Sequence, residues 1–291
     1  MNNFLKRQKL PKRVFVQSHF LLAMMLILVF GTWGSSPAIG QDQAPTVLIT
    51  GSSQGYGLAF VQDYIEKGWN IIATCRNPAT ADELQALAAE HSNVVIEELD
   101  VTDFEEIEAL AEKYRDTPID VLLNNAAINT FRARPLARFG SIDYDRFEEI
   151  LKVNVIGPLK VSETFLDHVA ASQQKKIVVM SATGASITST RSTIAPNYRT
   201  SKTALNMIMH LLAMELTDRG VIVGIIAPGT IDREGYYDAD PETLPENVRN
   251  SMARGFLLPR DTIGSIISVI DGLTLEDSGV FLDYSGEVLP W

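Results

Sequence analysis

Short β-branched and aliphatic runs alternate along the chain with stretches whose apolar positions recur every three or four residues. TVLIT (46–50), NIIATC (70–75), NVVIEEL (93–99), DVLLNN (120–125), KIVVMS (176–181) and VIVGIIA (221–227) each predict a strand, and VFLDY near the end predicts a seventh. Between them, residues 58–67, 104–114, 153–170 and 198–216 carry helical spacing. Strand alternating with helix predicts right-handed crossovers and an α/β fold with one doubly wound parallel sheet. The expected strand order is 3-2-1-4-5-6-7. No internal repeat, low-complexity tract or linker follows residue 45. Residues 41–291 therefore read as one domain.

The first forty residues break this pattern. Residues 1–19 are polar and basic, and FLLAMMLILVF (20–30) carries no charge. Gly31, Gly34, Ser35, Ser36, Pro37, Ala38 and Gly40 follow. Basic, apolar, then small is the order of a secretory signal. The apolar run falls short of the ~20 residues of a comfortable membrane span. Cleavage is expected after Gly40, with Ala38 and Gly40 as the small residues before the cut. The alternative is an uncleaved membrane anchor. PKRVFVQ (11–17) resembles a twin-arginine export motif with Lys12 in place of the first arginine; the other route is a positively charged Sec signal. The positive-inside bias holds the basic flank in the cytoplasm. The domain after it is thus expected in an exported, periplasmic-type compartment, with no stable membrane association once cleaved.

Charge sharpens the partner list. The formal net charge is −11, and Lys6, Arg7, Lys9, Lys12 and Arg13 all precede the first acidic residue, Asp42. Removing those five cations takes the remainder from −11 to −16. Such a body repels nucleic acid and anionic lipid, so neither is expected as a partner. Cys75 is the single cysteine, which forbids an intrachain disulfide and suits an oxidising compartment.

TGSSQGYG (50–57) follows the first predicted strand and opens the first helix. Its glycines permit a tight turn and close approach to a pyrophosphate, and the helix N-terminus supplies free N–H groups. Gly51, Ser53, Gly55 and Gly57 are the expected contacts. The second strand ends in TCR (74–76). A cofactor with a free ribose 2′-OH wants a carboxylate there, whereas Cys75 is not acidic and Arg76 would pair with a 2′-phosphate. This points to NADP. Asp100, in ELDVTD, could accept from an adenine amino group; a helix cap is the competing role, for which Thr102 and Asp103 are better placed.

The candidate chemistry lies further on. Tyr198 and Lys202, in YRTSK, are four apart and share a helix face. A phenol titrates near ~10 and is a poor base at neutral pH. A nearby ammonium, with the positive nicotinamide of an oxidised cofactor, favours the phenolate and fits Tyr198 for proton exchange with a substrate oxygen. Ser181, at a strand end in VVMSATG, could hold and polarise a carbonyl. Asn154, in LKVNVIG, is read at the start of a helix, where capping is its ordinary role. NNAA (124–127) brings Asn125 and Ala126 to the cofactor, and PGTI (228–231) adds Pro228, Gly229 and Ile231. All fall at carboxyl ends of strands, where open α/β sheets bind ligands. No metal site is expected.

TGSSQGYG, LDVTD, NNAA, Val153–Asn154, Ser181, YRTSK and the PG pair, in that order, resemble the short-chain dehydrogenase/reductase family over nearly all of residues 46–291. ATCRNP (73–78) and GVFLDYSGEVLPW (279–291) resemble its C-factor-like and sniffer-like carbonyl reductases. The resemblance implies a Rossmann domain, Ser181, Tyr198 and Lys202 as a catalytic trio, and Asn154 in a proton relay through Lys202. It implies a small carbonyl or alcohol substrate; a homodimer or homotetramer is expected. Ala127 stands where the family usually has glycine, and Arg233 where a threonine commonly contacts the carboxamide. The acidic stretch 232–252 is expected to form a lid that disfavours strongly anionic substrates. Two other readings compete. One is a non-catalytic NADP-binding sensor or signalling protein, against which stand the intact Ser181, Tyr198 and Lys202. The other is an epimerase or dehydratase on nucleotide sugars, which the glycine spacing and short C-terminal region oppose.

Overall fold

Seven strands pair in parallel in the order β3-β2-β1-β4-β5-β6-β7, as the alternating pattern predicts. They are β1 (Thr46–Thr50), β2 (Asn70–Cys75), β3 (Val94–Glu98), β4 (Val121–Asn124), β5 (Lys176–Met180), β6 (Ile222–Ala227) and β7 (Phe281–Asp283). The computed structural model describes residues 44–129, 137–229 and 259–291, with 243, 246 and 249 as isolated positions. The predicted signal segment 1–40 lies outside the described residues, as does nearly all of the predicted lid. No helix among the described residues is long and apolar enough to cross a membrane.

The helices are α1 (Gly55–Glu66), α2 (Asp82–Glu90), α3 (Phe104–Lys113), α4 (Tyr144–Leu151), α5 (Gly157–Thr164), α6 (Leu166–Ala170), α7 (Pro196–Leu216) and α8 (Pro259–Gly272). Every residue of β1, β4, β5 and β6 is buried, because helices cover both faces of the sheet. Alternate side chains feed two cores. Val47, Ile49, Val121 and Leu123 pack on one face with Phe60 of α1 and Ile266 of α8. Leu48, Leu122, Ile177 and Val179 pack on the other with Ile107 of α3, Val161 of α5 and Met209 of α7. This two-sided burial holds the carboxyl ends of β1, β4, β5 and β6 in fixed register along one edge.

One predicted helix is not continuous. Residues 153–170 divide into α5 and α6, and Lys152–Ile156 form a π-turn that joins α4 to α5. Pro158 lacks an N–H and cannot continue the i→i−4 ladder from α4, so the helix widens there. Gly157 is required by contact: a Cβ on it would lie 2.8 Å from the Val101 carbonyl oxygen.

Candidate active site

The turn after β1 is tied to the end of β4. Thr50 Oγ1 accepts from the backbone N–H groups of Asn125 and Ala126, both at 3.0 Å. Asn125 Nδ2 donates back to the carbonyls of Thr50 and Gly51 at 3.0 and 3.1 Å. A Cβ on Gly57 would sit 2.1 Å from the Gly51 oxygen and 2.7 Å from Asn125 Nδ2, so only glycine lets α1 pack against this junction. A Cβ on Gly51 would come within 2.9 Å of Ala126 Cα. Gly55 shares the positive φ of Gly51, +60° against +70°, which favours glycine, but nothing lies within 4 Å of a Cβ built there. Ser53 is half-buried in the same turn. No side chain caps the N-terminus of α1, and its first turn carries no acid. A turn with open space at Gly55 and an uncapped helix start fits a pyrophosphate.

Cys75 is buried at the end of β2, and burial pushes its thiol up from the ordinary cysteine range. Arg76, next in sequence, is exposed. Asp100, after β3, accepts on Oδ1 from the N–H and hydroxyl of Thr102 at 2.8 and 2.7 Å. Asp103, not Asp100, caps α3, accepting from Glu105 and Glu106 N–H.

α7 carries the candidate proton-transfer groups. It is entered through Ala195, whose φ of +51° is strained for a residue with a Cβ, and Pro196 stands in the first turn, where a missing N–H costs nothing. Tyr198, Lys202 and Asn206 follow at i, i+4 and i+8 on the buried face, at 8%, 3% and 2% exposure. Lys202 Nζ donates to the Met180 carbonyl at 2.7 Å, the last residue of β5. Ser181, the next residue, donates its hydroxyl to Asn206 Oδ1, and its N–H bonds the Ile226 carbonyl of β6 at 2.7 Å. The α7 face that carries Tyr198 and Lys202 therefore lies against the end of β5, where Ser181 sits.

Asn154 is not a helix cap. It is fully buried inside the π-turn, and its amide reaches across to another segment. Oδ1 accepts from Ile128 N–H at 2.7 Å, while Nδ2 donates to the Ile128 carbonyl and to Ser201 Oγ, each at 3.0 Å. Ser201 Oγ donates in turn to the Tyr198 carbonyl at 2.7 Å. Asn154 thus fastens the segment after β4 to the first turns of α7. The end of β6 places Pro228 and Gly229 at the same sheet edge. Ile231 and Arg233 lie outside the described residues.

Three site residues escape a reading of local motifs. Asn206 holds Ser181. Tyr56, between Gly55 and Gly57, donates its hydroxyl to the Pro228 carbonyl. Ser162 of α5 accepts from Asn124 Nδ2 at 3.1 Å at the end of β4. The helical spacing of Asn206 from Lys202 was the available signal for the first; the other two are contacts made only by the fold.

A short chain dehydrogenase family model matches residues 45–240. The chain belongs to that family. An uncharacterized oxidoreductase of Schizosaccharomyces pombe is 30% identical over 252 residues, covering 84% of this chain and 96% of the relative. The C-signal of Myxococcus xanthus is 29% identical over 175 residues, covering 60% and 93%. Among solved structures, an NADPH-bound carbonyl reductase from chicken fatty liver matches with a TM-score of 0.73 and 30% identity, covering 86% of this chain and all (100%) of that one. The carbonyl reductase Sniffer of D. melanogaster matches at 0.71 and 26%, with the same coverage.

Proposed function

We propose that this chain is an NADP(H)-dependent oxidoreductase of the carbonyl reductase type, moving a hydride between the nicotinamide and a carbonyl or alcohol carbon of a small substrate. The observation that carries the reading is that Tyr198 and Lys202 share the buried face of α7, which is bonded to the end of β5 at Met180 and Ser181. The glycine-rich turn lies along the same edge of the sheet, and the chicken enzyme, a relative of similar fold, is described with NADPH bound.

The chain's own groups fit the cofactor. The uncapped start of α1 and the open face at Gly55 would take the pyrophosphate, with Gly51, Ser53 and Gly57 shaping the turn. Arg76 would pair with a 2′-phosphate, and Asp100 would accept from the adenine amino group. Asn125 and Ala126 at β4, and Pro228, Gly229 and Ile231 after β6, would line the nicotinamide side. The bound cofactor supplies the hydride. Tyr198 gives its proton to the substrate oxygen in reduction and takes it back in oxidation. Lys202 places a positive charge beside that phenol and stabilises the phenolate left behind. When substrate binds, Ser181 turns its one hydroxyl hydrogen from Asn206 Oδ1 to the carbonyl oxygen. Asn154 keeps the α7 entry in place and supports proton return through Lys202.

A homodimer or homotetramer is part of the reading. Met207, Leu211 and Met214 lie at helical spacing on the outer side of α7 and are 61%, 50% and 65% exposed, an apolar stripe suited to a subunit contact. The protein acts outside the cytoplasm after loss of residues 1–40. The test of the reading is NADPH consumption against a panel of aldehydes and ketones. Turnover of at least one carbonyl class, lost in Tyr198→Phe, is expected; a protein that binds NADPH and reduces none, with Tyr198→Phe still performing its biological role, would favour a sensor.

A further inference from the structure

Tyr56 links two parts of the sheet edge that are distant in sequence and in the sheet. Its hydroxyl donates to the Pro228 carbonyl at 3.2 Å and lies 3.4 Å from the Gly229 carbonyl. β4 and β5 stand between β1 and β6, so the contact runs from the turn after β1 past two strand ends to the turn after β6. The ring itself is 8% exposed and packs in the core with Leu58, Phe60 and the other side chains of that face. The phenolic hydrogen is the part that reaches the edge.

Two consecutive carbonyls turned toward one hydroxyl fix the orientation of the strand end. In a planar trans peptide the N–H opposes the C=O. Holding the Pro228 carbonyl on Tyr56 therefore aims the Gly229 N–H the other way.

We propose that Tyr56 is a positioning residue that locks the nicotinamide-side turn at Pro228–Gly229 to the pyrophosphate-side turn at Gly55–Gly57, so that both ends of the dinucleotide cleft are set before cofactor enters. The proposal rests on the cofactor reading above. A buried tyrosine that merely needs a hydrogen-bond partner would affect stability alone. A lock affects the far half of the cofactor and spares the near half.

The test compares two ligands on wild type and Tyr56→Phe: adenosine 2′-monophosphate, which has no 5′-phosphate for the glycine-rich turn and occupies only the adenosine half beside Arg76, and NADP(H), which spans both. One lost hydrogen bond corresponds to about a three- to tenfold loss of NADPH and NADP affinity. Affinity for the monophosphate should stay within about twofold, since no group it touches has changed. Deuterium uptake of the 225–229 segment in the cofactor-free protein should rise. The phenylalanine keeps the buried ring; Tyr56→Leu serves as the second variant, with the same ligand ratio expected. Equal loss for both ligands, or no loss for either, overturns the lock. A wild-type protein that binds neither ligand removes the cofactor reading itself, which is a different result.

Discussion

Ser181 donates its hydroxyl hydrogen to Asn206 Oδ1, linking the end of β5 to the α7 face that carries Tyr198 and Lys202. The amide nitrogen of Asn206 is buried and has no hydrogen-bond partner among the described residues. Among the described residues, the Asn206 amide thus serves Ser181 alone. Ser181→Ala should lower turnover by about a hundredfold, the scale for loss of one donor to a developing oxyanion. Asn206→Leu should lower it by about three- to tenfold, with the loss in kcat rather than in cofactor affinity. Because the amide acts through the hydroxyl, the double variant should be no worse than Ser181→Ala. Multiplying losses in the double variant would show that Asn206 acts elsewhere.

Arg76 should set cofactor choice. It is exposed at the end of β2, beside Cys75, with no carboxylate at the preceding position. Arg76→Ala should weaken NADPH binding by about ten- to a hundredfold, the worth of a charge-assisted pair, and change NADH binding little. Titration with both reduced cofactors reads the ratio; equal loss for the two would show that Arg76 does not read the 2′-phosphate.

Asn154 makes three hydrogen bonds from a fully buried position. Asn154→Leu would leave the half-buried Ile128 N–H without its acceptor and loosen Ser201, which donates to the Tyr198 carbonyl. A stability loss of about 2–4 kcal/mol is expected, read by denaturant unfolding. Turnover of the folded fraction should also fall, since the first turns of α7 lose their tie to the segment after β4. An unchanged unfolding midpoint would contradict this placement of Asn154.

The sheet was legible because its central strands are buried on both faces and read as unbroken apolar runs. The glycine-rich turn and the Tyr198–Lys202 pair were legible because each is set by local spacing. α2 and α4 carry weaker signals: α2 buries only Leu84 and α4 only Ile150, so neither shows a full apolar stripe. The π-turn at Lys152–Ile156 hid the true place of Asn154, since an asparagine near a helix start reads as a cap. Tyr56 and Ser162 meet partners 172 and 38 residues away, and no periodicity encodes such contacts.

The basic and apolar start of the chain should direct export. The mature protein is expected to begin near Gln41 in an extracytoplasmic compartment. If it crosses folded, which the KRVF feature of 12–15 would permit, it should carry tightly held NADP. N-terminal sequencing of the native protein, with cell fractionation, decides this. A cytosolic protein retaining residues 1–40 would refute export and leave the catalytic reading untouched.

The central claim is that Tyr198 transfers the proton and that Lys202, whose ammonium would also reach the nicotinamide ribose, supports both chemistry and cofactor. Its most direct measurement is paired: NADPH-dependent carbonyl turnover and NADPH affinity for wild type, Tyr198→Phe and Lys202→Ala. Tyr198→Phe is predicted to lose nearly all turnover, by about a thousandfold, with cofactor affinity nearly intact; Lys202→Ala is predicted to lose both. Undiminished turnover in Tyr198→Phe would contradict the account.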